Sequence, residues 1–208
     1  MQKEYMSSSI RIGDIEIVRL IVGPLQTNCY LLKNKNEAVI IDPGWNDKRI
    51  LKEIMGSKLK FIIATHGHFD HIMGANMFKD ACFLIHKKDA RIMGRAPFLP
   101  GKFSLPKVSG FLKEKDVLNI GDKKIKIIHT PGHTKGSISI IGDGFIFTGD
   151  TLFYDSVGRT DLAESEKERI HTSILKIEKY AKENTIIFPG HGPYGYFKDI
   201  KLKNPFLN

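Results

Sequence analysis

Short apolar runs alternate with Gly, Pro, Asn and Asp along most of the chain. I-E-I-V-R-L-I-V-G (15–23), N-C-Y-L-L-K-N (28–34) and E-A-V-I-I-D-P-G (37–44) are rich in β-branched residues and predict three successive strands. The short turns between them suit antiparallel neighbours. The period then changes. In W-N-D-K-R-I-L-K-E-I-M (45–55), Ile50, Leu51, Ile54 and Met55 share one side of a helix that Asn46 or Asp47 can cap. L-K-F-I-I-A-T (59–65) is continuously apolar, the mark of a buried strand. A short helix over 71–78 and a strand over 82–86 follow. Residues 95–113 carry three prolines and three phenylalanines without a period and predict a long irregular loop able to cover a site. The second half repeats the theme with strands at 124–130, 137–142 and 145–150, a helix near 164–182 and a closing strand over 184–191.

Strands and helices in this order predict an α/β layered chain, two packed sheets with helices outside. A length of 208 residues suits a single domain, 1–208. No apolar run approaches the roughly 20 residues of a membrane helix, and M-Q-K-E-Y-M-S-S-S is not a secretory signal, so a soluble cytoplasmic protein is expected. Cys29 and Cys82 both sit in apolar runs and are expected to be buried, reduced thiols. The formal charge of +9 favours an anionic partner. The lysines are dispersed and no arginine–aromatic interleaving occurs, which argues against a nucleic-acid groove.

The chemistry concentrates in four loops that each follow a strand: I-I-A-T-H-G-H-F-D-H (62–71), I-I-H-T-P-G-H-T (127–134), F-I-F-T-G-D-T (145–151) and I-I-F-P-G-H-G-P (186–193). Strand-end loops are where a sheet presents functional groups. Gathered at one rim, they supply His66, His68, Asp70, His71, His133, Asp150 and His191. Packing these groups together without a cation would cost several kcal/mol, roughly, in desolvation and repulsion. Seven ligands exceed the four of one tetrahedral ion and suit two. His66, His68 and His133 make one site, Asp70, His71 and His191 the other, and Asp150 bridges. Imidazole and carboxylate without thiolate suit zinc, with iron or manganese also open. His86, His129 and His171 are expected to be satisfied structurally, although His129 is close enough in sequence to stand behind a ligand.

At these residues the chain resembles the metallo-β-lactamase superfamily. H-x-H-x-D-H stands here as His66 to His71, and H-T-P-G-H-T (129–134), T-G-D-T-L-F (148–153) and P-G-H-G-P (189–193) follow in order. The resemblance implies a four-layer αββα sandwich with a dinuclear site at one edge, held by the seven residues named above. T-N-C-Y-L-L (27–32), I-I-D-P-G (40–44) and V-G-R-T-D-L (157–162) resemble the glyoxalase II group, the hydroxyacylglutathione hydrolases. That group's extra helical domain has no counterpart in the seventeen residues after His191, so the likeness is to a short single-domain branch. Asp42 matches an aspartate beneath the metal loops, or else forms the turn before Pro43-Gly44. Arg159 and Asp161 match a segment near the site, or pair with each other.

The resemblance implies a metal-dependent hydrolase with two Zn²⁺, in which a hydroxide between the ions attacks a carbonyl carbon, and Asp70 and Asp150 are the catalytic carboxylates. A thioester fits best, because its thiol, of pKa about 8.5, departs without a strong acid. Outside the ligand set the motif loops offer no evident Glu or Lys for that task. S-lactoylglutathione is the model substrate. Tyr194, Tyr196 and Lys198 could meet an anionic acyl-thiol, or belong to a solvated C-terminus. The alternatives are a mononuclear iron persulfide dioxygenase, with two histidines and one aspartate, and a lactonase or other ester hydrolase. RNA processing is disfavoured, since His133 and Asp150 lie seventeen residues apart with no RNA-gripping arm between them. A non-catalytic metal binder is the reading outside enzymes.

Overall fold

A computed structural model describes residues 7–93 and 104–207. The first sheet runs in chain order: β1 (Ser7–Ile12), β2 (Ile15–Val22), β3 (Thr27–Asn34), β4 (Glu37–Ile41), β5 (Lys58–Ile63), β6 (Cys82–His86) and β7 (Val108–Leu112). β1 to β4 are antiparallel, and β4 to β7 are parallel. Parallel pairing needs crossovers. α1 (Lys48–Ile54) supplies the first, and α2 (Phe69–Ile72) with a 3-10 turn at Met73–Met77 the second. The second sheet contains β8 (Val117–Ile120), β9 (Lys123–His129), β10 (Ile138–Gly142), β11 (Phe145–Gly149), β12 (Ile186–Pro189) and β13 (Gly195–Tyr196), in the order β13-β12-β11-β10-β9-β8. α3 (Ile170–Glu178) crosses from β11 to its parallel neighbour β12, and α4 (Phe197–Lys203) follows β13.

Successive side chains of a strand face opposite ways, so a run apolar at every position needs two apolar faces. The central strands show this. Ile17, Leu32, Ile41 and Ile63 point between the sheets, where they meet Ile127, Ile140, Phe147 and Phe188. Their neighbours Val18, Leu31, Ile40 and Ile62 pack outward on Ile50 of α1 and Ile72 of α2. Ile128, Ile146 and Ile187 pack outward on Ile174 and Ile177 of α3 and Ile200 of α4. The result is the four-layer αββα sandwich, each fully buried Ile or Leu contributing about 1.5–3 kcal/mol.

Four expectations are corrected. Residues 108–112 form edge strand β7, part of the segment expected to be irregular; residues 95–103 of that segment lie outside the described residues. Backbone pairing with β6 recruits β7 and leaves Phe111 54% exposed, so no apolar pattern announces it. β1, β8, β13 and α4 arise where no element is expected. Cys82 is exposed, because it opens β6 on the face opposite Phe83 and Ile85; Cys29 is buried, and both thiols are free. The strand expected to reach residue 44 stops at Ile41, because Asp42 turns to φ +51°. Asp47 is the cap of α1, accepting from Arg49 N–H.

Candidate metal centre

The four loops meet where the sheets converge. Ile138 N–H donates to Thr65 O across the gap (2.9 Å), and β3 grips the end of β12 through Asn28 N–H to Gly190 O (2.7 Å) and Tyr30 OH to Pro189 O (2.6 Å). His66 and His68 occupy the turn after β5. Asp70 and His71 sit on α2, whose N-terminal boundary is His68. His133 follows β9, Asp150 follows β11 and His191 follows β12. Gly190 is required by contact: a Cβ there would lie 2.2 Å from Asp150 Oδ1.

Two triads result. His68 Nδ1 lies 3.0 Å from His66 Nε2 and 3.0 Å from His133 Nε2. His191 Nε2 lies 3.3 Å from His71 Nε2 and 3.3 Å from Asp70 Oδ2. Asp150 stands between them, with Oδ1 3.6 Å from His71 Nε2 and Oδ2 3.6 Å from both His133 Nε2 and His191 Nε2. Atoms about 2.0–2.1 Å from a tetrahedral ion lie about 3.3 Å from one another, within the 3.0–3.6 Å range of the separations in the two triads. Among the described residues, Asp150 Oδ1 is buried without a hydrogen-bond partner, as an oxygen reserved for a cation would be. All seven residues therefore fall into donor groups able to hold metal ions.

Every imidazole has a hydrogen-bond partner on its far nitrogen. His71 Nδ1 faces Asp42 Oδ2 at 2.9 Å, His133 Nδ1 faces Arg159 O at 2.8 Å and His191 Nδ1 faces Leu25 O at 3.2 Å. His68 is turned the other way, with Nε2 3.0 Å from Glu164 Oε1. Thr65 OH donates to Asp42 Oδ2 at 2.7 Å, so His66 Nδ1, 3.1 Å from Thr65 Oγ1, is the donor there. Each acceptor holds the proton outside and leaves a lone pair facing the other donors, the tautomer that metal ligation requires.

The electrostatics follow from five imidazoles and two carboxylates in a buried space. Burial pushes the pKa of His66 well below its usual value, and nearby His71 and His68 add to the effect. Burial opposes protonation of His71 too, but Asp150, Asp70 and Asp42 outweigh it and raise its pKa to about 10. Burial likewise resists ionisation of Asp70, yet His71 and His191 hold it well below the ordinary carboxylate range.

Other expected residues fall at varied distances. Asp42 lies beneath the cluster, accepting from Thr65 N–H (2.7 Å), Thr65 OH and His71. Arg159 and Asp161 pair with each other at 2.7 Å in solvent; only the Arg159 carbonyl reaches the centre. His86 and His129 stack at 4.4 Å, with His129 Nε2 3.0 Å from Lys135 O, and His171 is exposed. Tyr194 packs on Phe188 under Arg19, and Lys198 lies over the Tyr196 ring along a groove of about 1060 Å³ between α3 and α4. Sequence reasoning missed Glu164, which stands behind His68 although it lies outside the four motif loops. It belongs to no ligand motif, and only folding brings it to His68.

The family model described as Metallo-beta-lactamase superfamily matches residues 22–191. The hydroxyacylglutathione hydrolase GloC of Haemophilus influenzae is 33% identical over 94% of this chain and 98% of its own length. Among solved structures, the BLEG-1 B3 metallo-beta-lactamase superposes with a TM-score of 0.84 at 32% identity, over 92% of this chain and 99% of that one. TTHA1623 in a di-iron-bound form superposes with a TM-score of 0.78 at 28% identity, over 91% of this chain and 99% of its own.

Proposed function

The chain belongs to the metallo-beta-lactamase superfamily, and from that premise we propose that it is a single-domain dinuclear hydrolase of small anionic thioesters of the S-lactoylglutathione type. His66, His68 and His133 would hold one ion, Asp70, His71 and His191 the other, with Asp150 shared. The observation that carries the reading is the pair of triads joined at Asp150. Zinc suits the donors, and the di-iron form of TTHA1623 makes iron the natural competitor. Bound there, divalent ions supply Lewis acidity, bringing the pKa of water towards about 7 and polarising a carbonyl.

The residues of the chain do the rest. The far-side acceptors Asp42, Thr65, Glu164, Leu25 O and Arg159 O orient five imidazoles, each with its other nitrogen turned towards the remaining donors. Asp70 and Asp150 add two negative charges, so part of the positive charge of two divalent ions stays available for an oxyanion. Glu164 is engaged behind His68 rather than free to protonate a leaving group. That favours a leaving group needing little help, and a thiol of pKa about 8.5 meets the condition. Likeness to GloC supports glutathione thioesters within the class. The chain spans 98% of that protein, so the reading invokes no extra domain for glutathione.

The test is thiol release from S-lactoylglutathione by zinc-loaded protein, with Asp150→Asn beside it and metal content counted in both. Two zinc ions per chain and turnover that disappears in the variant are expected. Two zinc ions without turnover would reject glutathione thioesters as substrates. One iron per chain with oxygen-dependent persulfide turnover would replace the proposal with the mononuclear dioxygenase.

A further inference from the structure

Besides Asp42, one further buried aspartate lies outside the donor set. Asp89 opens the 3-10 turn Asp89–Arg91 just beyond β6 and is fully buried. Its Oδ2 accepts two hydrogen bonds, from Gly67 N–H at 2.8 Å and from Thr134 OH at 2.7 Å. Gly67 separates His66 from His68, and Thr134 follows His133. A single oxygen therefore joins the two loops that carry all three histidines of the first triad.

Both loops close tightly on this residue. A Cβ on Gly67 would lie 2.5 Å from Asp89 O, and a Cβ on Gly136 would lie 2.3 Å from Asp89 Oδ1. The Gly67 N–H can only donate. The Thr134 hydroxyl is 2.7 Å from Ser137 Oγ, and donates to Asp89 while accepting from Ser137. Both donors thus need an acceptor at the Oδ2 position. Among the described residues no lysine or arginine forms an ion pair with Asp89. Burying an unpaired carboxylate is costly, which makes mere space-filling a poor account of it.

We propose that Asp89 is a positioning residue for the first metal site: it sets the separation between the His66–His68 turn and His133 that brings their three donor nitrogens together at His68 Nδ1. The inference rests on reading that triad as a metal site. Among the described residues Asp89 makes no hydrogen bond to a donor side chain, so it acts through the loops it joins.

The test isolates each site, with His191→Ala leaving the first triad and His133→Ala leaving the second. Zn²⁺ affinity is measured on metal-free protein by chelator competition, and the Co²⁺ form is followed by its visible spectrum. Asp89→Ala is expected to weaken the first site by about 10- to 100-fold and alter its Co²⁺ spectrum, while leaving the second site within about 3-fold. Asp89→Asn keeps an acceptor for Gly67 and Thr134 and is expected to recover most of that loss. Should Asp89→Ala not fold, Thr134→Val removes one of the two donors and is expected to give a smaller loss confined to the first site. Equal weakening of both sites, or none at the first, would overturn the positioning role. Absence of metal binding in the His191→Ala protein with Asp89 intact would instead defeat the metal-site reading on which it rests.

Discussion

Replacing Asp42 with Asn exchanges one carboxylate oxygen for an amide NH₂ and should weaken one of the two proposed metal sites. The residue is buried at φ +51°, a conformation asparagine tolerates as well as aspartate, so the backbone has no reason to move. Asp42 Oδ1 accepts from Thr65 N–H, and Oδ2 accepts from Thr65 OH and His71 Nδ1–H. The Thr65 N–H cannot reverse its role, so the single oxygen of Asn must face it. The amide NH₂ then occupies the Oδ2 position. Thr65 can turn its hydroxyl, but His71 can satisfy the new donor only by accepting at Nδ1. Its proton then moves to Nε2, the nitrogen facing Asp70, Asp150 and His191. Ligation there requires that proton to be displaced. Loss of an acceptor behind a ligating histidine costs about 10- to 100-fold in metal affinity, or about 1.4–2.8 kcal/mol. The assay is Zn²⁺ titration of metal-free Asp42→Asn against a chromophoric chelator. One equivalent should bind nearly as in the unaltered protein and the other should weaken by that factor. Two equivalents at unchanged affinity would refute the claim that Asp42 sets the His71 tautomer.

Further outcomes follow from the same contacts. Glu164→Ala should weaken the first site by up to about 10-fold, since water can partly replace the carboxylate behind His68; Zn²⁺ titration in the His191→Ala protein measures it. Removing metal with a chelator should lower the melting temperature, because ions at 100 times their Kd stabilise by about 2.7 kcal/mol per site. Thermal unfolding with and without chelator tests this, and identical curves would contradict it. Hydrogen bonding to Arg49 outweighs burial and holds the Asp47 carboxyl below its ordinary value of 3.8. Its charge therefore stabilises the fold above that pH, and the contribution disappears as pH falls through the lower folded value. Asp47→Asn, which keeps the cap acceptor, should cost under about 1 kcal/mol at neutral pH and nothing in strong acid, as read by urea unfolding at both.

The layered fold was legible because its central strands are apolar on both faces, as in V-I-I (39–41) and F-I-I (61–63). β7 and β8 were not, because edge strands are held by backbone pairing with only part of one face covered. α4 follows a two-residue strand and carries only Phe197 and Ile200 as buried anchors, too few to set a period. The donors were legible because His and Asp beside Gly at strand ends have few structural uses.

Most of the far-side acceptors were illegible for a different reason. Arg159 O and Leu25 O are backbone carbonyls, which every residue has, and Glu164 resembles any other acidic residue in sequence; Asp42 alone was marked, by its match to an aspartate beneath the metal loops. The amino-acid sequence by itself determined which donor atoms exist and that they cluster at strand ends. The tertiary structure alone decided which nitrogen of each ring faces inward. That choice depends on the acceptor behind the ring, and for His71, His68 and His191 the acceptor comes from 29, 96 and 166 residues away. No local pattern can encode a proton position set by so distant a partner.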